Sequence, residues 1–142
     1  MKRAYVRAVT ERLAAMRGYL EELGDVAVST REQYLENRPL RRAGERLLQL
    51  VVESATDATR MYMLGHGLNP GPSHAACIQN MGHRNLIRHD LAARLIQYVS
   101  VRNVVVHDYL TLDDEAVFRQ IEDAAAVFGE FTTRMRELLG KP

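Results

Sequence analysis

The chain has 142 residues, 46% of them hydrophobic and 26% charged, and its net charge at pH 7 is +1. This composition is typical of one globular domain, so we expect residues 1–142 to fold as a single unit with its own core. The one cysteine, Cys77, excludes an internal disulfide and is expected to be a small buried side chain. No apolar run approaches the roughly 20 residues that cross a bilayer, so we expect a cytoplasmic protein without membrane contact.

Positive charge is concentrated in the middle of the chain. Residues 1–37 are neutral overall, residues 38–102 carry nine arginines against four acidic residues, and residues 103–142 carry four basic against eight acidic residues. Arginine forks onto phosphate, so this middle segment is a candidate phosphate-binding surface. Within it, Arg84, Arg88 and Arg94 are the arginines we consider for such contacts. The alternative is a solvated helical face.

Apolar residues recur at spacings of three and four through nearly the whole chain, which predicts helices. The predicted helices cover about residues 2–23, 30–37, 39–64, 74–81, from 89 through the motif described below, and 113–139. Gly24 is the expected end of the first helix, and Ser29 or Thr30 caps the second. Pro39 disfavours helical geometry at Arg38 and suits the first turn of the third helix. The fold class is therefore all-α, an up-and-down bundle of about four main helices with additional short ones.

The third predicted helix carries a polar stripe. Residues four apart share a helical face, and Glu45, Gln49, Glu53 and Asp57 follow this spacing. Exposure to solvent is one explanation. The other is that Glu53 or Asp57 points inward and orients a functional arginine through a charge-assisted pair.

The most informative stretch is residues 101–109, VRNVVVHDY, at the end of an amphipathic helix. Asn103 and His107 are four apart and share a face, whereas Arg102 and His107 diverge by roughly 140° on a regular helix. They can flank one phosphate if the helix loosens near its end. A two-fold axis close by is the other route, because it gathers two arginines and two histidines into one cleft.

Such a cleft has the groups that metal-free RNA cleavage requires. One imidazole accepts the proton of the ribose 2′-hydroxyl and another donates a proton to the leaving 5′-oxygen. Arg102 stabilises the charge that builds on the phosphate, and Asn103 orients the phosphate or the histidine. The five histidines and Cys77 show no close pair at metal-ligand spacing, so no metal and no cofactor is predicted. The alternative is purely structural, since His107 also suits a helix C-terminus.

Arg102, Asn103, His107 and Tyr109 together resemble the R-x4-H-x-Y signature of HepT-type toxins in the HEPN superfamily of helical ribonucleases. Residues 41–57, RRAGERLLQLVVESATD, are similar to the long central helix of that family. The resemblance implies a homodimer with a composite site and metal-independent cleavage of RNA, with tRNA a plausible target. Arg84, Arg88 and Arg94 match no family residue, so an RNA role for them is inferred from charge.

The resemblance also implies a partner, an antitoxin of the MntA-type minimal nucleotidyltransferases, which transfers AMP from ATP to Tyr109. Nucleotide on that hydroxyl would place negative phosphate in the cleft, where it competes with RNA and pairs with Arg102. The main alternative is a non-catalytic helical binding partner of a nucleotidyltransferase. A plain dimeric scaffold is a third possibility.

Overall fold

The computed structural model describes residues 1–140, and these form an all-α bundle without strands. Four long helices, α1 (Arg3–Ala27), α3 (Arg38–Gly65), α5 (His89–His107) and α6 (Asp114–Leu138), build the core. Two shorter helices, α2 (Arg31–Glu36) and α4 (His74–His83), lie in the connections, and a 3₁₀ turn (Tyr109–Thr111) joins α5 to α6. The predicted fold class and the order of the helices are confirmed.

The core is a continuous set of apolar side chains from all six helices. Its largest fully buried members include Tyr34, Leu48, Leu91, Phe128 and Phe131. The most extensive packing among the described residues joins α1 to α3, while α5 lies against α3, α4 and α6. Burial of this apolar surface is the main stabilising contribution to the bundle.

Two predicted helix boundaries were wrong. The first helix does not end at Gly24 but continues to Ala27, because Val26 extends the apolar stripe into the core and is buried. Arg38 is helical although it precedes Pro39, because Asn37 is the N-cap and its side-chain oxygen accepts a hydrogen bond from the Leu40 amide at 3.0 Å. In both places a tertiary or capping interaction outweighs the local preference of glycine or proline.

The second helix has a complete capping box at Thr30. The Thr30 hydroxyl accepts from the Gln33 amide at 3.1 Å, and the Gln33 side chain accepts from the Thr30 amide at 2.9 Å. Of the two predicted caps, Thr30 is the one used, and its capping-box partner is Gln33.

The two helices that flank the segment between α5 and α6 are fastened to the bundle. The Tyr98 hydroxyl of α5 donates to the Gln120 carbonyl of α6 at 2.8 Å. At the start of α6, Asp114 lies 3.6 Å from Arg41, and Glu115 pairs with Arg31. The C-terminal turn of α5 and the 3₁₀ turn after it are thus presented from a fixed frame.

Candidate active site at the C-terminal end of α5

Arg102 of the sequence motif is tied to α3 by Glu53. Its Nε and Nη2 donate to the same carboxylate oxygen, Oε1 of Glu53, at 3.2 and 2.6 Å. The Arg102 side chain is 14% exposed and that of Glu53 is 30% exposed, so the pair is partly shielded from water. Hydrogen bonds between charged groups are stronger than neutral ones, and this pair fixes the direction of the guanidinium.

A second hydrogen bond holds the carboxylate itself. Gln49, one turn earlier on α3, donates its amide to Oε1 of Glu53 at 3.1 Å. Burial acts to raise the pKa of Glu53, but the hydrogen bonds from Arg102 and Gln49 and the charges of Arg102 and Arg46 outweigh it, so the pKa of Glu53 is lowered. Glu53 is therefore ionised at neutral pH and keeps Arg102 in place.

The other two carboxylates of the polar stripe, Glu45 and Asp57, do not hold Arg102. Asp57 is exposed and makes no hydrogen bond to Arg102. Glu45 is buried, pairs with Arg42 at 2.8 Å, and has a pKa raised mainly by burial. Among the described carboxylates, Glu53 is the one that contacts the motif arginine.

Asn103 contacts Arg102 rather than His107. The Arg102 Nη1 atom donates to Oδ1 of Asn103 at 3.1 Å, so the guanidinium is held from two sides. His107 lies in the last turn of α5, where an imidazole faces the negative end of the helix dipole, and it is exposed. Helix α5 stays regular as far as His107, so the helix does not loosen between the two residues.

Tyr109 begins the 3₁₀ turn directly after α5. Its side chain is 67% exposed, and that of the next residue, Leu110, is 84% exposed. Val106 is also exposed, and it completes a small apolar patch at this end of the molecule. Tyr109 is thus largely exposed to solvent, whereas Tyr34 and Tyr98 are buried.

His74 was not among the residues predicted for this site, yet the charge of Arg102 acts on it. It is the first residue of α4 and is half-buried, and its Nδ1 is shielded from water without a hydrogen-bond partner in the described chain. The pKa of His74 is lowered by burial first and by the Arg102 charge next, against the raising effects of Asp57 and Glu53. Nothing in the local sequence predicts that the Arg102 charge acts on His74, because the two residues lie in different helices, α5 and α4.

The three arginines predicted from charge alone are not gathered at Arg102. Arg88 is engaged by Asp90 at 3.0 Å and by Glu130 at 2.7 Å. Arg84 caps the end of α4, and Arg94 is exposed on α5 two turns before Arg102. An RNA role for these three residues stays a prediction.

Cys77 is buried, as predicted, and burial raises the pKa of its thiol. No group of three or more histidine, cysteine, aspartate or glutamate side chains in residues 1–140 is arranged to hold a metal ion. None of the described helices is long and apolar enough to cross a membrane.

A protein-family model described as "Ribonuclease HepT-like" matches residues 16–135, a span that contains Glu53, Arg102, His107 and Tyr109. The chain belongs to the HepT-like ribonuclease family. The resemblance drawn from the R-x4-H-x-Y motif is thereby confirmed. No curated protein sequence matches the chain.

Solved structures share the fold of this HepT-like chain over nearly its full length. A tri-AMPylated HEPN toxin from Shewanella oneidensis in complex with an MNT antitoxin is 20% identical, with a TM-score of 0.85 over 96% of this chain and 99% of that one. A toxin–antitoxin with AMP-PNP is 19% identical, with a TM-score of 0.82 over 95% and 99%. YutE, a cytosolic protein of unknown function from Bacillus subtilis, is 17% identical, with a TM-score of 0.75 over 92% and 90%. At these identities the likeness establishes a common helical fold.

Proposed function

We propose that this chain is the ribonuclease toxin of a toxin–antitoxin pair and that its site forms between two copies of the chain. The observation that carries the proposal is the Arg102–Glu53 pair, which fixes the motif arginine on the same helix that carries exposed His107 and that exposed Tyr109 follows. A purely structural arginine would leave the exposed His107 imidazole without a role, whereas a phosphate-cleaving site uses both an arginine and a histidine.

A second copy of the chain would bring together the motif arginine and histidine, which diverge within one helix. Because α5 is regular to its end, Arg102 and His107 leave the helix about 140° apart. A two-fold axis near the end of α5 would bring the histidine of each chain toward the arginine of the other. The exposed Val106, Tyr109 and Leu110 supply apolar surface for that contact.

In this site the RNA 2′-oxygen attacks the adjacent phosphorus and the bond from phosphorus to the 5′-oxygen breaks. One His107 accepts the 2′-hydroxyl proton, and the other His107 donates a proton to the 5′-oxygen. Arg102 stabilises the charge on the phosphate oxygens. The products are a 2′,3′-cyclic phosphate and a 5′-hydroxyl, and the reaction uses no metal.

Tyr109 is the proposed point of control by a nucleotidyltransferase antitoxin. Transfer of AMP from ATP forms a bond from the tyrosine oxygen to phosphorus, releases pyrophosphate and frees the phenolic proton. The Shewanella oneidensis toxin of the same fold is AMPylated and is bound to an MNT antitoxin, which supports this assignment. The added phosphate would compete with RNA for Arg102.

The test is RNA cleavage with purified protein in the presence of EDTA, together with growth arrest on expression. Wild type should cleave RNA and stop growth, while His107→Ala and Arg102→Ala should lose both activities and keep the helical far-UV circular dichroism spectrum. Equal behaviour of wild type and His107→Ala would instead favour the non-catalytic binding partner. Cleavage that disappears with EDTA would contradict the metal-free mechanism.

Tyr109→Phe separates cleavage from control. This variant should still cleave RNA but gain no mass when incubated with ATP and the nucleotidyltransferase, and it should stay toxic when both are expressed together. Neutralisation of Tyr109→Phe would show that the antitoxin acts by masking the site rather than by modifying it.

A further inference from the structure

Helix α3 carries Arg46, Glu53 and Arg60 at intervals of seven residues. Seven residues bring a side chain back to within about 20° of the same helical face and advance it by about 10.5 Å. Because Glu53 binds Arg102, the guanidinium of Arg102 occupies the middle of this line. Arg46 and Arg60 of α3, with Arg102 of α5 between them, are therefore spread along one face of α3 over about 21 Å.

The two outer arginines are not held by an ion pair within the described chain. Arg46 and Arg60 are exposed, and neither forms a hydrogen bond or ion pair with any residue of the described chain. Other arginines of the same helix are paired, Arg41 with Asp114 and Arg42 with Glu45. Each lies seven residues from Glu53 on α3, and the charge of Arg46 acts on the pKa of Glu53 while that of Arg60 acts on the pKa of His74.

We propose that Arg46 and Arg60 bind backbone phosphates of the RNA on the two sides of the phosphate held at Arg102, so that the strand runs along α3. This inference rests on the proposed ribonuclease function and adds the path of the substrate. A line about 21 Å long suits a strand of several nucleotides rather than a mononucleotide. Arginine is suited to phosphate binding because its planar guanidinium matches the geometry of the phosphate oxygens.

Asp57 adds a negative charge between the positive charges of Arg46 and Arg60 on α3. It is exposed on α3 one turn after Glu53 and just before Arg60. It has no cationic partner at hydrogen-bonding distance in the described chain. A carboxylate at this position repels the phosphates that Arg46 and Arg60 attract. Its removal should therefore strengthen RNA binding, while removal of either arginine should weaken it.

The experiment measures binding of a fluorescently labelled polyuridylate across a series of salt concentrations, in the His107→Ala background so that the RNA stays intact. Arg46→Gln and Arg60→Gln should each lower the affinity and reduce the slope of log K against log salt by about 0.7, the value for one phosphate contact on a single strand. Asp57→Asn should raise the affinity. Arg17→Gln on α1 and Arg119→Gln on α6, at exposed arginines with no predicted RNA role, change net charge equally and should leave the slope unchanged.

Slopes that stay at the wild-type value in Arg46→Gln and Arg60→Gln, or that fall no more than in Arg17→Gln and Arg119→Gln, would overturn the proposed path. If the His107→Ala protein binds no RNA at all, the proposed function fails together with this inference.

Discussion

Glu53 sets the position of Arg102, and Asp57 offers a matched control one turn away on the same helix. Glu53→Ala removes two hydrogen bonds from the Arg102 guanidinium and should lower kcat for RNA cleavage by about 100-fold, since small displacements of a positioned group cost that much. Asp57→Ala removes a carboxylate that does not contact Arg102. Its kcat at saturating RNA should match wild type, and a comparable loss in both variants would argue against a positioning role for Glu53.

His74 reports on the charge of Arg102. Its pKa is lowered from the ordinary 6.5 by burial and by the neighbouring Arg102 charge. Arg102→Gln removes that charge and frees Glu53, and both changes should raise the pKa of His74 in an NMR titration. An unchanged His74 titration in Arg102→Gln would show that the two side chains are further apart in solution.

The lowered pKa of His74 makes the free energy of unfolding depend on pH. The unfolded chain binds a proton at His74 near pH 6.5, whereas the folded chain binds it only at lower pH, so stability falls as pH decreases from 6.5 toward the folded pKa. His74→Asn should lose this part of the pH dependence in chemical unfolding between pH 7 and pH 5. Identical pH dependence in the two proteins would contradict the lowered pKa.

At the scale of helices, Gly44 is required by close packing. A methyl group there would lie 2.8 Å from Ile121 Cδ1 and 3.1 Å from the ring of buried Tyr34. Gly44→Ala should lower the free energy of unfolding by about 1–3 kcal/mol, because the core must shift to admit the extra carbon.

Gly24 is the matched control within α1. A methyl group at Gly24 meets no atom within 4 Å, so Gly24→Ala should raise stability by about 0.5–1 kcal/mol through the lower entropy of the unfolded chain. Urea unfolding of both variants measures the difference. Equal effects of the two substitutions would mean that the contact between α3 and α6 at Gly44 is looser than the structure shows.

Most helices were predictable from the sequence because each buries one apolar stripe with a period near 3.6. The boundaries at Gly24 and Arg38 were not predictable, since burial of Val26 and the cap at Asn37 outweigh local preferences there. The motif residues of the candidate site were visible in sequence, and Glu53 was one of two acids considered. The sequence could not choose Glu53 over Asp57 or place His74 nearby, because both depend on how α3, α4 and α5 pack.

For the whole molecule, the apolar patch at Val106, Tyr109 and Leu110 predicts self-association. Leu110→Glu places a charge on a side chain that is 84% exposed in the single chain and should convert a dimer into a species of the 16.1 kDa chain mass. Val28→Glu is the control, since Val28 is also 84% exposed but lies at the end of α1. Light scattering after size exclusion measures the masses. A dimer that survives Leu110→Glu but not Val28→Glu would place the interface elsewhere.

Helix α5 ends at His107, so the residues just after it belong to a short 3₁₀ turn whose side chains contribute nothing to the buried core. A bulky chemical group could be attached to the tyrosine there, and removed again, without melting any helix. An attachment at this turn would then leave the free energy of unfolding of the single chain unchanged.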